Sequence, residues 1–130
     1  MRHERPRIAL ADAFNDEREM YVDSLGHEGF DVRTVSTLDL AEAVEQIRSL
    51  APDAVLVRIL PGRFGIELIR RLRADRTLGH RPMMILTSST HADILREAHD
   101  CGAADVLILP ITGEQIADLL RRRLRRRKSA

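Results

Sequence analysis

A chain of 130 residues, 44% apolar and 32% charged, has the balance of one globular domain with a real core, which excludes a disordered or low-complexity polypeptide. No apolar run reaches membrane-spanning length, residues 1–7 (MRHERPR) are too polar for a secretory signal, and the single cysteine, Cys101, has no partner for an internal disulfide. A reducing cytoplasmic setting is expected, and the net charge of +1 hides an asymmetry: residues 121–128 (RRRLRRRK) carry seven of the 21 basic residues, leaving 14 bases against 20 acids in residues 1–120.

Short apolar runs alternate with amphipathic stretches along the chain. Ile8–Ala11 reads as a strand buried on both faces, and a helix with Met20, Tyr21 and Leu25 follows. Gly29 stands where that helix needs a left-handed residue to end. Asp31–Val35 alternates in polarity and reads as an edge strand. Leu40, Val44, Ile47 and Ala51 recur at helical spacing, with Ser36 and Asp39 resembling a capping box ahead of them. Ala54–Ile59 is the third strand, and Leu68, Ile69 and Leu72 mark the third helix. Met83–Leu86 precedes a helix carrying Leu95, Ala98 and Cys101, with Thr90 and Asp93 resembling a capping box at its start and Gly102 at its end. Val106–Leu109 is the last strand, and Thr112 with Gln115 opens a helix bearing Ile116, Leu119, Leu120 and Leu124.

Five strand–helix alternations predict an α/β fold: a five-stranded parallel sheet between helices, a three-layer α/β/α sandwich. Sheets of this kind place their functional crevice outside the carboxyl ends of the strands. Those ends are Asp12 and Ala13, Val57 to Leu60, Thr87 and Ser88, and Leu109 with Pro110.

In order, IALADAFNDEREM, PDAVLVRILPGRFGIELIRRLRAD, RPMMILTSS and CGAADVLILPIT resemble the receiver domain of two-component response regulators, the CheY-like superfamily. The resemblance runs from about Arg7 to Arg125 and implies the flavodoxin-like strand order 2-1-3-4-5. It sets residues 7–125 as the receiver-like domain, 1–6 as a leader, and 126–130 as a basic tail or the start of a linker.

The resemblance also implies a chemistry to look for. A working receiver takes a phosphoryl group on an Asp ending strand 3, beside an acidic pair that helps bind Mg²⁺, a strand 4 Thr or Ser, and a Lys before a Pro after strand 5. Phosphoryl transfer spreads negative charge over oxygens, so a hard cation and an ammonium are needed to neutralise it. Here Asp12 holds the first acidic position and Ala13 the second, Thr87 matches the threonine, and Leu109 replaces the Lys before Pro110. The acceptor position falls on Arg58 counting from Pro52, or on Val57 counting back from Pro61, and neither forms an acyl phosphate. Val106 sits where many receivers carry an aromatic partner of the threonine.

Asp12, Ala13, Val57, Arg58, Thr87 and Leu109 are therefore expected to form a degenerate phosphorylation pocket in a pseudo-receiver that is not an enzyme and uses no cofactor or metal. Two arrangements stand open there. Either Arg58 turns into the pocket and pairs with Asp12, or Val57 seals the pocket and Arg58 points to solvent. Thr87 is expected to cap local backbone, Cys101 to fill core space, and the five histidines to be surface or packing residues. By the resemblance the Leu109–Pro110 bond is cis. The expected role is phosphorylation-independent protein–protein interaction in bacterial signal transduction, with a signalling protein, a kinase or an output domain as partner. Homodimerisation through helix 4, strand 5 and helix 5 is a further option, with Ile94, Glu97, Asp118, Leu119 and Arg122 as candidate contacts. A phosphorelay receiver with an unusual acceptor, or a nucleic-acid-associated regulator using Arg121 to Lys128, stays open as the alternative. The basic run has no aromatic residue for base stacking, which favours a solvated helix end or linker over nucleic acid, and no membrane partner is expected.

Overall fold

The computed structural model describes residues 3–59 and 63–129. Leu60 and Pro61, named above at the end of strand 3, lie outside the described residues, as do the side chains of Arg127 and Lys128. In chain order the elements are β1 (Arg7–Ala11), α1 (Asn15–His27), β2 (Asp31–Thr34), α2 (Leu40–Leu50) and β3 (Ala54–Arg58). There follow α3 (Phe64–Ala74), β4 (Met83–Thr87), α4 (Ala92–Asp100), β5 (Asp105–Ile108) and α5 (Gly113–Ser129). The strands pair in parallel in the order β2-β1-β3-β4-β5.

Alternation along the strands builds two cores. Ile8, Leu10, Ala54, Leu56, Met84 and Leu86 face α1 and α5, where Tyr21, Leu25, Ile116 and Leu120 cover them. Ala9, Ala11, Val55, Val57, Met83 and Ile85 face the opposite way, onto Ile47 of α2, Leu68, Ile69 and Leu72 of α3, and Ala98 and Cys101 at α4. Both faces of the central strands are thus dry, which is why β1, β3 and β4 read as continuous apolar runs. Each fully buried Leu or Ile contributes ~1.5–3 kcal/mol by leaving water, so these strands dominate the stability. The outer strands β2 and β5 are only half-buried.

Local chemistry sets the helix ends. Thr112 and Gln115 form a reciprocal box at the start of α5: the Thr112 N–H donates to Gln115 Oε1 at 2.9 Å, and the Gln115 N–H to Thr112 Oγ1 at 3.1 Å. Asp39 caps α2 by accepting from the Glu42 N–H at 2.8 Å, while Ser36 Oγ accepts from the Leu38 and Asp39 N–H groups one turn earlier. The expected Thr90–Asp93 box is not made: α4 opens at His91 with no side-chain cap. Gly102 has φ of 114°, and a Cβ there would lie 2.7 Å from Arg73 Cγ, because Arg73 reaches past it to donate to the Gly102 carbonyl.

Residues 3–6, set apart above as part of a leader, bond to the body: the His3 ring to the Ala51 carbonyl, Arg5 to the Gly26 and Gly29 carbonyls, and the Asp31 N–H to the Pro6 carbonyl. Helix α5 also continues past Arg125 to Ser129. Part of its basic run folds back on the body: Arg121 pairs with Glu28 and Asp118, and Arg123 clasps Asp105 with contacts of 2.7 and 2.9 Å. No helix among the described residues is long and apolar enough to cross a membrane.

Candidate functional site

The carboxyl ends of β1, β3 and β4 open onto a concavity whose chemistry depends on strand alternation. Arg58 follows Ala54 and Leu56 onto the α1 side of the sheet, and Asp12 follows Ile8 and Leu10 onto the same side. Val57, the Cα partner of Ala11, points the other way and is fully buried beneath α3. There Gly65 leaves room for it, since a Cβ on that glycine would stand 3.2 Å from Val57 Cγ1.

Both expected arrangements are therefore half right. Val57 closes the α3 side, yet Arg58 turns inward, with only 9% of its side chain exposed. Its partner is Glu17 of α1 and not Asp12: Arg58 Nε donates to Glu17 Oε2 at 3.0 Å, and Nη1 donates to the Ile59 carbonyl at 2.6 Å. The guanidinium also stands 5.0 Å over the Phe14 ring. Helix geometry accounts for the choice, because Glu17 lies in the first turn of α1 and descends over the strand ends, whereas Asp12 is tied to its own loop.

Asp12 is completely buried. Its Oδ1 accepts from the Phe14 N–H at 2.9 Å, but Oδ2 has no hydrogen-bond donor. A bare buried carboxylate oxygen is costly. Beside it, the Glu17 carboxyl is pushed up to about 7, first by burial and then by the neighbouring Asp12 carboxylate, with Arg58 pulling the other way. Tyr21 lies one turn further along α1, donates its hydroxyl to the Ile111 carbonyl at 2.9 Å, and is pushed up to about 12 by burial and then by the Glu17 and Asp12 charges.

Thr87 is buried, and its Oγ1 accepts from the Ser89 N–H at 3.1 Å, a local cap. Ala13 is exposed and brings no ligand to the site. Leu109 packs partly into the α1/α5 core, its N–H donates to the Thr87 carbonyl, and the Leu109–Pro110 peptide is cis. Among the described residues no cluster of three His, Cys, Asp or Glu side chains is arranged to hold a metal ion. Asp12 alone of the expected metal-type positions keeps a carboxylate, and the neighbouring Glu17 carboxylate is already taken by the Arg58 guanidinium, so the residues present do not fit Mg²⁺ well.

Beside Arg58 lies a cavity of about 450 Å³, floored by Ile59, Ile66 and Thr87 and walled by Phe14, Arg63 and Ile94. Arg63 crosses its rim to Glu97 at 2.6 Å. Ile94 and Glu97, expected on an outer face, thus line this cavity. Asp118 and Arg122 are exposed on α5, and Leu119 between them is half-buried against the α1/α5 core. Cys101 is buried, its thiol donating to the Ala98 carbonyl at 3.0 Å. Sequence reasoning missed Glu17, Phe14 and Arg63. The signal for Glu17 was present, since residues 54, 56 and 58 alternate onto the face that α1 covers.

A doubly wound sheet in the order 2-1-3-4-5, with its pocket at the carboxyl ends, defines a flavodoxin-like domain. Residues 8–121 match the response regulator receiver domain family, and the chain belongs to it. It is 27% identical over 113 residues to the chemotaxis protein CheY of Pseudomonas aeruginosa, covering 86% of this chain and 90% of that one. It is also 32% identical over 120 residues to the phosphate regulon transcriptional regulatory protein PhoB of the same organism, covering 92% of this chain and 52% of that one. The chain therefore spans about half the length of PhoB, as it does of the response regulator MprA of Mycobacterium ulcerans. Among solved structures, the chemotaxis protein CheY4 of Vibrio cholerae superposes with a TM-score of 0.80 at 22% identity, covering 92% of this chain and 98% of that one. That likeness supports the fold.

Proposed function

We propose that this receiver domain signals without a phosphoryl switch, as a protein-docking module whose pocket is held in one state by an internal ion pair. The observation carrying this reading is the Arg58–Glu17 pair at the end of β3, with Val57 beside it and Leu109 where a lysine would neutralise a phosphoryl group. A guanidinium is always charged and cannot be an acceptor, and its pairing with ionised Glu17 fills the end of β3 with a cation held in place. The docking surface is the α4–β5–α5 side, where Ile108 is 45% exposed on an edge strand and Asp118 and Arg122 are open to solvent. Partners are signalling proteins or an output domain, and control comes from what binds the domain.

A second reading keeps phosphorelay chemistry with an unusual acceptor, and the buried Asp12 with its bare Oδ2 favours it. Capture from the native host, quantified with and without acetyl phosphate and Mg²⁺, separates the two. The docking reading expects one partner retained in equal yield under both conditions and lost in an Ile108→Glu, Arg122→Glu variant. A yield that follows the phosphodonor contradicts it.

A further inference from the structure

We propose that the cavity of about 450 Å³ at the strand ends is a binding site for a neutral, flat aromatic small molecule that carries a hydrogen-bonding oxygen. Size admits it, since ligand pockets run from about 300 to 1,000 Å³. Burial argues for it. Phe14 and Ile94, 47% and 38% exposed, come from the loop before α1 and from α4, yet both stand at this one cavity. Its floor is Ile59, Ile66 and Thr87, each less than a tenth exposed, so an occupant would cover apolar surface on three sides.

Charge selects a neutral occupant. Each lining cation already has a carboxylate: Arg58 has Glu17 at 3.0 Å, and Arg63 has Glu97 at 2.6 Å. An added anion would compete with one of those carboxylates, and an added cation with one of those guanidiniums; at the Arg58–Glu17 pair, 9% and 20% exposed, that exchange strands a partly buried charge. Shape selects a flat ring, because the lining offers the planar Phe14 ring, with the Arg58 guanidinium 5.0 Å from its centroid, together with the aliphatic side chain of Ile94. Orientation comes from hydroxyls. Thr87 Oγ1 accepts from the Ser89 N–H and still has its own proton to donate, and Ser88 is exposed at the rim.

The inference goes beyond the docking reading and stands without it. The test is a methyl NMR titration of the full chain with 1-naphthol, against 1-naphthoate and 1-naphthylmethylammonium as charged counterparts. Saturable shifts of the Ile59, Ile66 and Ile94 methyls by 1-naphthol, with a Kd below about 1 mM and at least about tenfold weaker binding of both charged probes, are expected. Ser88→Trp and, separately, Ile94→Trp, both at exposed positions, should fill the cavity and abolish the shifts. Ile108→Glu, which attacks the docking face instead, should leave them intact. No saturation by 1-naphthol, equal binding of a charged probe, or shifts that survive both tryptophan variants would overturn the proposal.

Discussion

The two ends of the central sheet are built from the same ingredients and come out opposite. At the amino end one arginine, Arg7, meets two carboxylates: its N–H donates to Asp53 at 2.8 Å, its Nε to Asp31 at 3.2 Å, and its Nη1 to the Leu50 carbonyl at 3.1 Å. Asp31 is 28% exposed, takes a second guanidinium from Arg33, and is held below the usual carboxylate range, first by the Arg33 hydrogen bond. At the carboxyl end Arg58 meets one carboxylate, Glu17, which is raised instead of lowered, and the nearby Asp12 is wholly buried with one oxygen bare. The difference is water and a spare cation. Where both are available the cluster is a finished brace; where neither is, the fold keeps an unsatisfied group at the place such sheets use for function.

Removing each arginine sharpens that contrast. Arg58→Ala leaves the buried Asp12 and the partly buried Glu17 without the guanidinium and should cost about 3 kcal/mol in urea unfolding at pH 8, with a smaller loss at pH 5, where Glu17 carries its own proton. A loss equal at both pH values would break the coupling between Arg58 and Glu17. The pH dependence of the intact site comes next. Because the Glu17 pKa rises from 4.5 to about 7 on folding, the folded chain holds the extra proton, so its contribution is fully present below pH 4.5 and is lost as pH rises through about 7. The stability of the wild type relative to Glu17→Gln should therefore fall across that window, and a difference that rises would contradict the sign. Asp53→Ala at the amino end removes one partly buried hydrogen bond and should cost about 1 kcal/mol, with little pH dependence above pH 5. Arg33→Ala, on a solvent-exposed pair, should shift the unfolding midpoint by no resolvable amount.

The sheet was legible in the sequence because buried parallel strands leave continuous apolar runs: all five strands fall within a residue or two of the expected spans. The Thr112–Gln115 box was legible because its spacing is local. The partner of Arg58 was not, because it depends on which way a strand end faces and which helix crosses it. Asp12 was the nearer choice by family position, and the register plus the first turn of α1 decided for Glu17. The Thr90–Asp93 signal failed for the opposite reason: the right residues stand at the right spacing, but α4 begins at Ala92 after an uncapped His91.

Arg58, paired with Glu17, stands at the end of β3, and signalling without a phosphoryl switch requires that no carboxylate nearby accepts a phosphoryl group. Intact-mass spectrometry after incubation with acetyl phosphate and Mg²⁺, with peptide mapping of any adduct, measures this directly. An unmodified chain is expected. A stoichiometric phosphoryl adduct, mapped to Asp12 or any other carboxylate at the strand ends, would contradict it.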